Sequence, residues 1–445
     1  MPFIANTDAE RQEMLAFLGL DSMQQLWQKA HVPEPEFDFS QLPAGISELE
    51  VSRHFNDLAA KNGSGLVSFL GMGHYDHFIP AAVSDVLIQA GFYTSYTPYQ
   101  PEASQGTLQA IFEWQTAICR LAGMEVANAS LYDGGSAIFE ALTMSMRSTR
   151  RRNEIVVSEA VSPIHRKMLD TYCASLDLKI IPVPARAEKS DIAGILAAVN
   201  ESTACVIVQY PNVFGSIEDW SSAVAAIKEK GALAVCSAYP TALALLKTPG
   251  EMGFDIVIGE GQPLGMPLSF GGPYLGYMCT TNKLLRKMPG RIAGQTTDSR
   301  GRTGYVLTLQ AREQHIRREQ AMSNICSNNN LCAVAALVYM SVLGKEGLRE
   351  VASLCHDKAA YARQRLSAIP GVEALGDSPF FNEFVLQLPT DAKPLLAELL
   401  KKGYAAGVPL GKYYPGRERQ LLVAVTEKRD KAEIDLLAES LEALL

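Results

Sequence analysis

Eight cysteines are scattered along the chain without a single CxxC pair, which removes the short-spaced thiolate sets of zinc ribbons and dithiol oxidoreductases. A chain of 445 residues has no need of disulfide staples, so lone thiols fit a reducing, cytoplasm-like compartment. Only seven histidines are present, and no Ser/His/Asp or Cys/His nucleophile set assembles from the sequence. No stretch reaches the roughly 18 uninterrupted apolar residues needed to cross a bilayer. The start, MPFIANTDAERQEML, lacks the cationic and apolar regions of a secretory signal. Neither a membrane nor a secreted location is expected. No basic stripe interleaved with aromatics appears and the formal net charge is −8, so a nucleic-acid partner is not expected. The one dense basic run, RSTRRRN at 147–153, follows an expected helix and is read as complementing its macrodipole, with docking the lesser reading.

What is present is an ordinary globular balance, 47% hydrophobic and 20% charged, at a length that suggests two or three domains. The first sixty residues read as helical. TDAE is a capping box from Thr7 to Glu10, and ISELEVSRHFNDLAA keeps a helical period. The connector VPEPEFDFSQLPAG separates them, and the pair reads as an arm lying over something else. From about residue 100 helices and strands alternate. A helix from Pro101 to Gly123 is followed by strand ANASLY and a helix opened by DGGSA. Strands EIVVSE, LKIIPVP, TACVIVQYP, ALAVCSA, DIVIGEG and YLGYMCTT come next, with helices between most of them. Short, Val- and Ile-rich strands of this kind predict an α/β fold with a mostly parallel sheet covered by helices on both faces. After about 310 a polar junction leads to a long apolar helix and a small α+β domain. The expected boundaries are 1–62 for the helical arm, 63–315 for the large domain and 316–445 for the C-terminal domain.

Four constellations carry chemical interest. DGGSA at 133–137 puts Gly134, Gly135 and Ser136 at a helix start, where exposed amides could cup a phosphate. Asp133 would repel a dianion, so a plain N-cap is the favoured reading. GEGQPLG mimics a dinucleotide fingerprint but has no following helix. GHYDH spaces His74 and His77 around Asp76 without a third converging ligand, and no metal is expected. GFYTSYTPYQPE carries three tyrosines in a loop stiffened by Pro98 and Pro101. It reads either as a rigid binding surface with hydrogen-bonding tips or as a buried inter-domain plug.

The segments FLGMGHYDHFIPAAV, GFYTSYTPYQPEASQG, ANASLYDGGSAIFEAL, GMPLSFGGPYLGYM and TLQAREQHIRREQAMSNICSNNNL resemble, in order, segments of the glycine cleavage system P-protein family, glycine dehydrogenase (decarboxylating). They look like its N-terminal half, which in many bacteria is a separate subunit 1. The resemblance implies a pyridoxal-phosphate-dependent transferase type I fold with an N-terminal arm and a small C-terminal domain. In catalytic chains of that fold an aspartate at a strand end pairs with the pyridinium nitrogen, and a lysine in the next strand's loop forms the Schiff base. Here Cys236 stands at the expected aspartate position, and Gln262 or Pro263 at the lysine position. Lys247 and Lys283, the nearest lysines, sit on or beside expected helices. No catalytic residue is expected in this chain, and Gly134, Gly135 and Ser136 are expected to form a degenerate phosphate cup.

The resemblance further implies that pyridoxal 5'-phosphate belongs to a subunit 2, paired with this chain as two of each. The assembled enzyme would decarboxylate glycine and pass the aminomethyl group to the lipoyl arm of H-protein. Tyr93, Tyr96, Thr97, Tyr99 and Gln100 are expected to wall the partner's active site. The main alternative is a scaffold that stabilises subunit 2 or docks H-protein without touching the chemistry. A pyridoxal enzyme in its own right, using an unusual lysine, is the weakest reading. REQHIRREQ and PGRIAGQTTDSRGR are read as a solvated face and a domain junction, with steering of an acidic carrier as the alternative. Cys326 and Cys332, six apart in the junction, read either as redox-active or as merely buried.

Overall fold

The computed structural model describes residues 5–33, 40–63, 65–149 and 153–445, which form two compact units, Met1–Ser64 and Gly65–Leu445. Arg150, Arg151 and Arg152 of the basic run and residues 34–39 of the connector lie outside the described residues. The first unit holds helices α1 (Asp8–Phe17), α2 (Met23–Lys29) and α3 (Glu48–Ala60). Each start is satisfied by a side chain. Thr7 and Glu10 make the expected capping box, Ser22 accepts the Gln25 amide, and Ser47 and Glu50 make a second box. Among the described residues of this unit only Leu15 is buried, so these helices own no core of their own.

The second unit is built on a seven-stranded sheet. Its strands are β1 (Val126–Ala127), β2 (Glu154–Ser158), β3 (Lys179–Val183), β4 (Thr203–Tyr210), β5 (Leu233–Ala238), β6 (Ile256–Glu260) and β7 (Gly276–Thr280). They lie in the order β1-β7-β6-β5-β4-β2-β3. The five strands from β6 to β3 are parallel. The segment joining β6 to β7 contains no crossover helix, so β7 returns antiparallel, and β1 pairs antiparallel with it. Every residue of β6 is buried, because helices cover both sheet faces. Pro182, which cannot donate to a ladder, sits on the edge strand β3.

Helix α4 (Gln105–Ala122) ends at Gly123, whose φ of 69° suits a glycine cap. It starts at Gln105 rather than at Pro101, since residues 101–103 make a turn. Helix α5 (Gly134–Ser148) is capped by Asp133 and ends with Arg147 in its last turn. Helix α6 (Pro163–Cys173) opens on a proline, where the missing N–H costs nothing. Helix α7 (Asn330–Ser367) is bent at Gly344, with φ 61° and ψ −172°. By length and composition α7 is apolar enough to cross a membrane, which the count of uninterrupted residues did not reveal. Its Ala333, Ala335, Ala336 and Tyr339 are instead buried against the main core.

Beyond α7, the strands Glu373–Ala374, Glu383–Gln387, Gln420–Ala424 and Val408–Pro409 form a small antiparallel sheet. Helices Ala392–Lys401 and Lys431–Glu442 bury Leu399 and Leu437 in a cluster with Phe384 and Leu386. A hairpin, Ile292–Thr297 with Thr303–Thr308, occupies a region expected to be junction and solvated face. Gln115 of α4 fixes it by exchanging two hydrogen bonds with Ala293, of 3.0 and 2.9 Å.

The two sheets meet where the backbone of Gly215, with φ +90°, lies against Glu383. A Cβ there would stand 1.9 Å from the Glu383 carbonyl oxygen. No rotamer change relieves a backbone clash, and the left-handed φ adds strain for any other residue. Gly215→Ala should therefore cost about 3 kcal/mol of the first urea unfolding transition. An unchanged midpoint would show that this contact does not hold the two sheets together.

Candidate functional site

The C-terminal ends of β4, β5 and β6 surround a cavity of only about 20 Å³. Gln209, Ser237, Tyr239, Glu260 and His165 of α6 line it, together with Tyr75. The space holds about one water molecule and is far below the roughly 300 Å³ at which small-molecule pockets begin. Cys236, expected at the aspartate position, faces away from it. The thiol is packed in the core with Val206, Val208 and Val257, and burial pushes its pKa up beyond the ordinary thiol range. Ser237, one residue on, is the group that faces the cavity. A hydroxyl carries no charge to hold a pyridinium nitrogen.

Gln262 is almost wholly buried and its amide is fully engaged. It accepts the Tyr75 amide at 2.9 Å and donates to the Tyr75 and Met266 carbonyls at 3.0 and 2.8 Å. Pro263 beside it is buried as well, and no lysine lines the cavity. At the head of α5 the Gly134 amide donates to Glu260 at 2.9 Å and the Ser136 amide to Asp133 at 2.6 Å. Gly135 is stoppered by Met168, whose sulfur would stand 2.0 Å from a Cβ there. The amides that would cup a phosphate are thus taken by two carboxylates of the chain itself, at the positive end of the helix dipole. Pyridoxal phosphate does not fit these residues. Amine, counter-charge, phosphate donors and room are all missing.

The titratable groups around the cavity are shifted toward neutrality. Burial pushes Glu260 up to about 7 against the pull of the Gly134, Leu275 and Gln262 amides. His165 is pushed down to about 4, first by burial and then by the neighbouring His74, and its Nδ1 has no hydrogen-bond partner. Burial also lowers His74, whose ring lies 4.6 Å from Tyr274 and whose Nε2 is 3.9 Å from Glu260. His77 points elsewhere, to Glu427 at 2.6 Å and the Tyr239 hydroxyl at 2.5 Å.

A second concavity, of about 280 Å³, opens on the tyrosine loop. Tyr93, Tyr96 and Thr97 line one side, and Pro273 with residues 327–332 the other. Tyr93 and Tyr96 are 68% and 76% exposed, which rules out the buried-plug reading for them. The Tyr96 hydroxyl reaches Ser327 Oγ at 3.4 Å. Tyr99 does not join them. Its hydroxyl accepts from Arg291 at 2.6 Å and its ring lies 5.1 Å from that guanidinium. Gln100 does not line the cleft either. Its carbonyl accepts the Ala103 and Ser104 amides and so caps the turn before α4.

The polar run SNNN, 327–330, part of the expected polar junction, forms the opposite wall. Asn328 donates to Ser130 Oγ at 3.0 Å, and Asn329 to the Tyr132 and Tyr274 carbonyls at 2.9 and 2.7 Å. Asn330 Oδ1 is left buried without a partner. Three consecutive asparagines just before an apolar helix were the available signal. Beside the cleft the loop 269–272 keeps positive φ at Ser269, Phe270, Gly271 and Gly272, and holds Phe270 95% exposed at its tip. Cys326 is exposed and Cys332 half-buried, and both are free thiols.

The family model described as glycine cleavage system P-protein matches residues 1–441. A relative from Nitratidesulfovibrio vulgaris, named probable glycine dehydrogenase (decarboxylating) subunit 1, is 52% identical over 445 residues, all of both chains. One of the same name from Citrifermentans bemidjiense is 51% identical over 447 residues, again all of both. Among solved structures, the inhibitor-bound glycine decarboxylase (P-protein) of the glycine cleavage system superposes with a TM-score of 0.91 at 39% identity over all of both chains. A glutamate decarboxylase from Lactobacillus brevis shares the fold, at TM-score 0.70 and 12% identity over 95% of this chain and 96% of its own. The architecture is the type I fold of pyridoxal-phosphate enzymes.

Three buried carboxyls, Glu140, Glu260 and Glu383, are each pushed up to about 7, in every case chiefly by burial. A folded pKa above the unfolded value means that the native state binds more protons between about 4.5 and 7. Stability is then fully present below about 4.5 and is lost as pH rises through about 7, by at most about 3 kcal/mol per group. Urea titrations at pH 5 and pH 8 should show the chain more stable at pH 5. A flat or inverted profile would mean that these carboxyls are ionised in the fold at little cost.

Proposed function

This chain belongs to the glycine cleavage system P-protein family, and on that premise we propose that it is the cofactor-free subunit of a two-subunit glycine decarboxylase. The observation that carries this reading is the sealed pocket, with Gln262 hydrogen-bonded where an amine would be needed and Glu260 across the α5 amides. The partner subunit would carry pyridoxal phosphate, which supplies the electron withdrawal for loss of carbon dioxide from glycine. The aminomethyl group then passes to the lipoyl arm of H-protein. Two copies of each chain would make the assembly. The eight free thiols support a reducing, cytoplasmic setting.

What this chain contributes is a wall. Tyr93, Tyr96 and Thr97 present phenol and hydroxyl tips on a preformed surface backed by Ser327 and Asn329. Tyrosine loses little rotamer freedom when it binds, so such a wall positions a small polar substrate at low entropic cost. Tyr99 serves a different end, anchoring the loop on Arg291. Phe270, held out by four left-handed residues, fits contact with the partner chain. A scaffold that only stabilises its partner remains the second reading, because a sealed pocket is equally expected of it.

Incubating the chain with pyridoxal phosphate and reducing with borohydride should leave no stoichiometric pyridoxyl-lysine on it, whereas the partner subunit in the mixture should be labelled. A specific label on this chain would overturn the assignment of the cofactor. Tyr96→Ala in the reconstituted enzyme should lower turnover about tenfold or more without weakening subunit association by gel filtration. Full turnover with intact assembly would favour the scaffold.

A further inference from the structure

We propose that His77, Cys355 and Glu427 form a zinc-binding site at the junction between the two sheets, separate from both concavities. One ligand atom from each lies within 4.8 Å of the others. Imidazole, thiolate and carboxylate are the donors a borderline-soft dication takes, and three protein ligands with an open fourth position are a recurring zinc arrangement. The three come from distant parts of the chain. His77 follows the segment that lines the sealed cavity, Cys355 is on the second half of α7, and Glu427 follows the strand Gln420–Ala424.

The ligands are already held in place by their neighbours. The Tyr239 hydroxyl, 2.5 Å from His77 Nε2, orients the ring so that Nδ1 faces Glu427 and remains available as a donor. An outer partner on the second ring nitrogen is what metal-ligating histidines almost always have. Glu427 receives the Phe78 amide on Oε1 at 2.6 Å, and the Lys358 ammonium donates to its carbonyl. The segments on either side are stitched together as well. Thr426 donates to the Asp76 carbonyl at 2.8 Å, and Lys428 and Arg429 pair with the Asp76 carboxylate at 2.7 and 3.4 Å.

Without metal, two hydrogen bonds join the same three groups. His77 Nδ1 is 2.6 Å from Glu427 Oε2, and the Cys355 thiol donates to that oxygen at 3.4 Å. Zinc would replace the thiol proton, which leaves to solvent, and would move the imidazole proton to Nε2, facing Tyr239. Ligands on one tetrahedral zinc stand about 3.3 Å apart, so the nitrogen and oxygen, now 2.6 Å apart, must spread by about 0.7 Å. The thiolate and carboxylate balance the dication's charge inside a buried site. The expected effect is a clamp between the segment 75–78 and the C-terminal sheet.

The test uses the full chain carrying Cys326→Ser, which removes the exposed thiol, after dialysis against a chelator. Cobalt(II) should bind at one equivalent with a near-ultraviolet thiolate-to-cobalt charge-transfer band, and zinc should displace it and raise the thermal midpoint by several degrees. Cys355→Ser should abolish the band while the circular dichroism stays that of the parent. Glu427→Gln, which keeps the volume and covers the case of a misfolded serine variant, should weaken cobalt binding at least tenfold. No cobalt band in the parent, or a band of unchanged strength in either variant, would overturn the site.

Discussion

A hydrogen-bonding group sealed from water must find its partner inside the protein, and at the head of α5 that constraint decides what the chain can do. Glu260 accepts the Gly134, Gln262 and Leu275 amides, while Gln262 joins both backbone groups of Tyr75 to Met266. Leaving one such group unpaired costs about 1–3 kcal/mol, so removing either side chain would cost more than any single apolar contact nearby could return. The pocket has therefore not simply lost a lysine. Internal groups satisfy the donors and acceptors that a cofactor would engage. A lone lysine returned to position 262 would meet neither the room nor the free amides that a phosphate needs, because Glu260 and Met168 occupy them.

With this pocket closed, the polar groups free to meet a small molecule are those of the second concavity, at the surface. Tyr93, Tyr96 and Thr97 face outward over a frame that is itself tightly bonded, through Tyr99 to Arg291 and through Asn328 and Asn329 to the strand-end loops. Some tyrosines and asparagines of these two loops are spent on anchoring so that others can remain free in a fixed position. That division of labour explains why exposed phenols face half-buried, hydrogen-bonded amides across the cleft. The neighbouring tip at Phe270 follows the same logic with backbone strain as the fixing device.

The strand–helix order was readable because most buried strands are short Val/Ile-rich runs and several helix starts carry a side-chain cap or an N1 proline, as at Thr7, Asp133 and Pro163. The missing lysine was readable too, since absence of an amine needs no geometry. What could not be read was direction. On a strand one residue changes the face, and Cys236 points into the core while Ser237 meets the cavity. The same limit separates Tyr96 from Tyr99, which differ by three residues in a loop without a period. The hairpin at 292–308 was hidden by its charged turn, Asp298 to Arg302, which resembles a solvated junction. Asn328 and Asn329 escaped notice because their partners lie in loops about 55 to 200 residues away.

The segment from Met72 to Phe78 binds these findings together. Its Gly73 and Tyr75 line the sealed cavity, and its other groups tie it to the C-terminal sheet. Met72 and Tyr75 hydrogen-bond Glu383 at 2.6 and 2.7 Å, Asp76 pairs with Lys428 and Arg429, and His77 meets Glu427. A buried group left unpaired costs about 1–3 kcal/mol and the half-exposed Asp76 pairs add at most about 1 kcal/mol each, so several such ties in seven residues still leave the small sheet little freedom to swing away from the large one. A fold that binds its own cofactor benefits from opening there to admit ligand. Here the cavity is sealed, and the ties join it and both sheets into one body that holds the tyrosine cleft in a fixed shape.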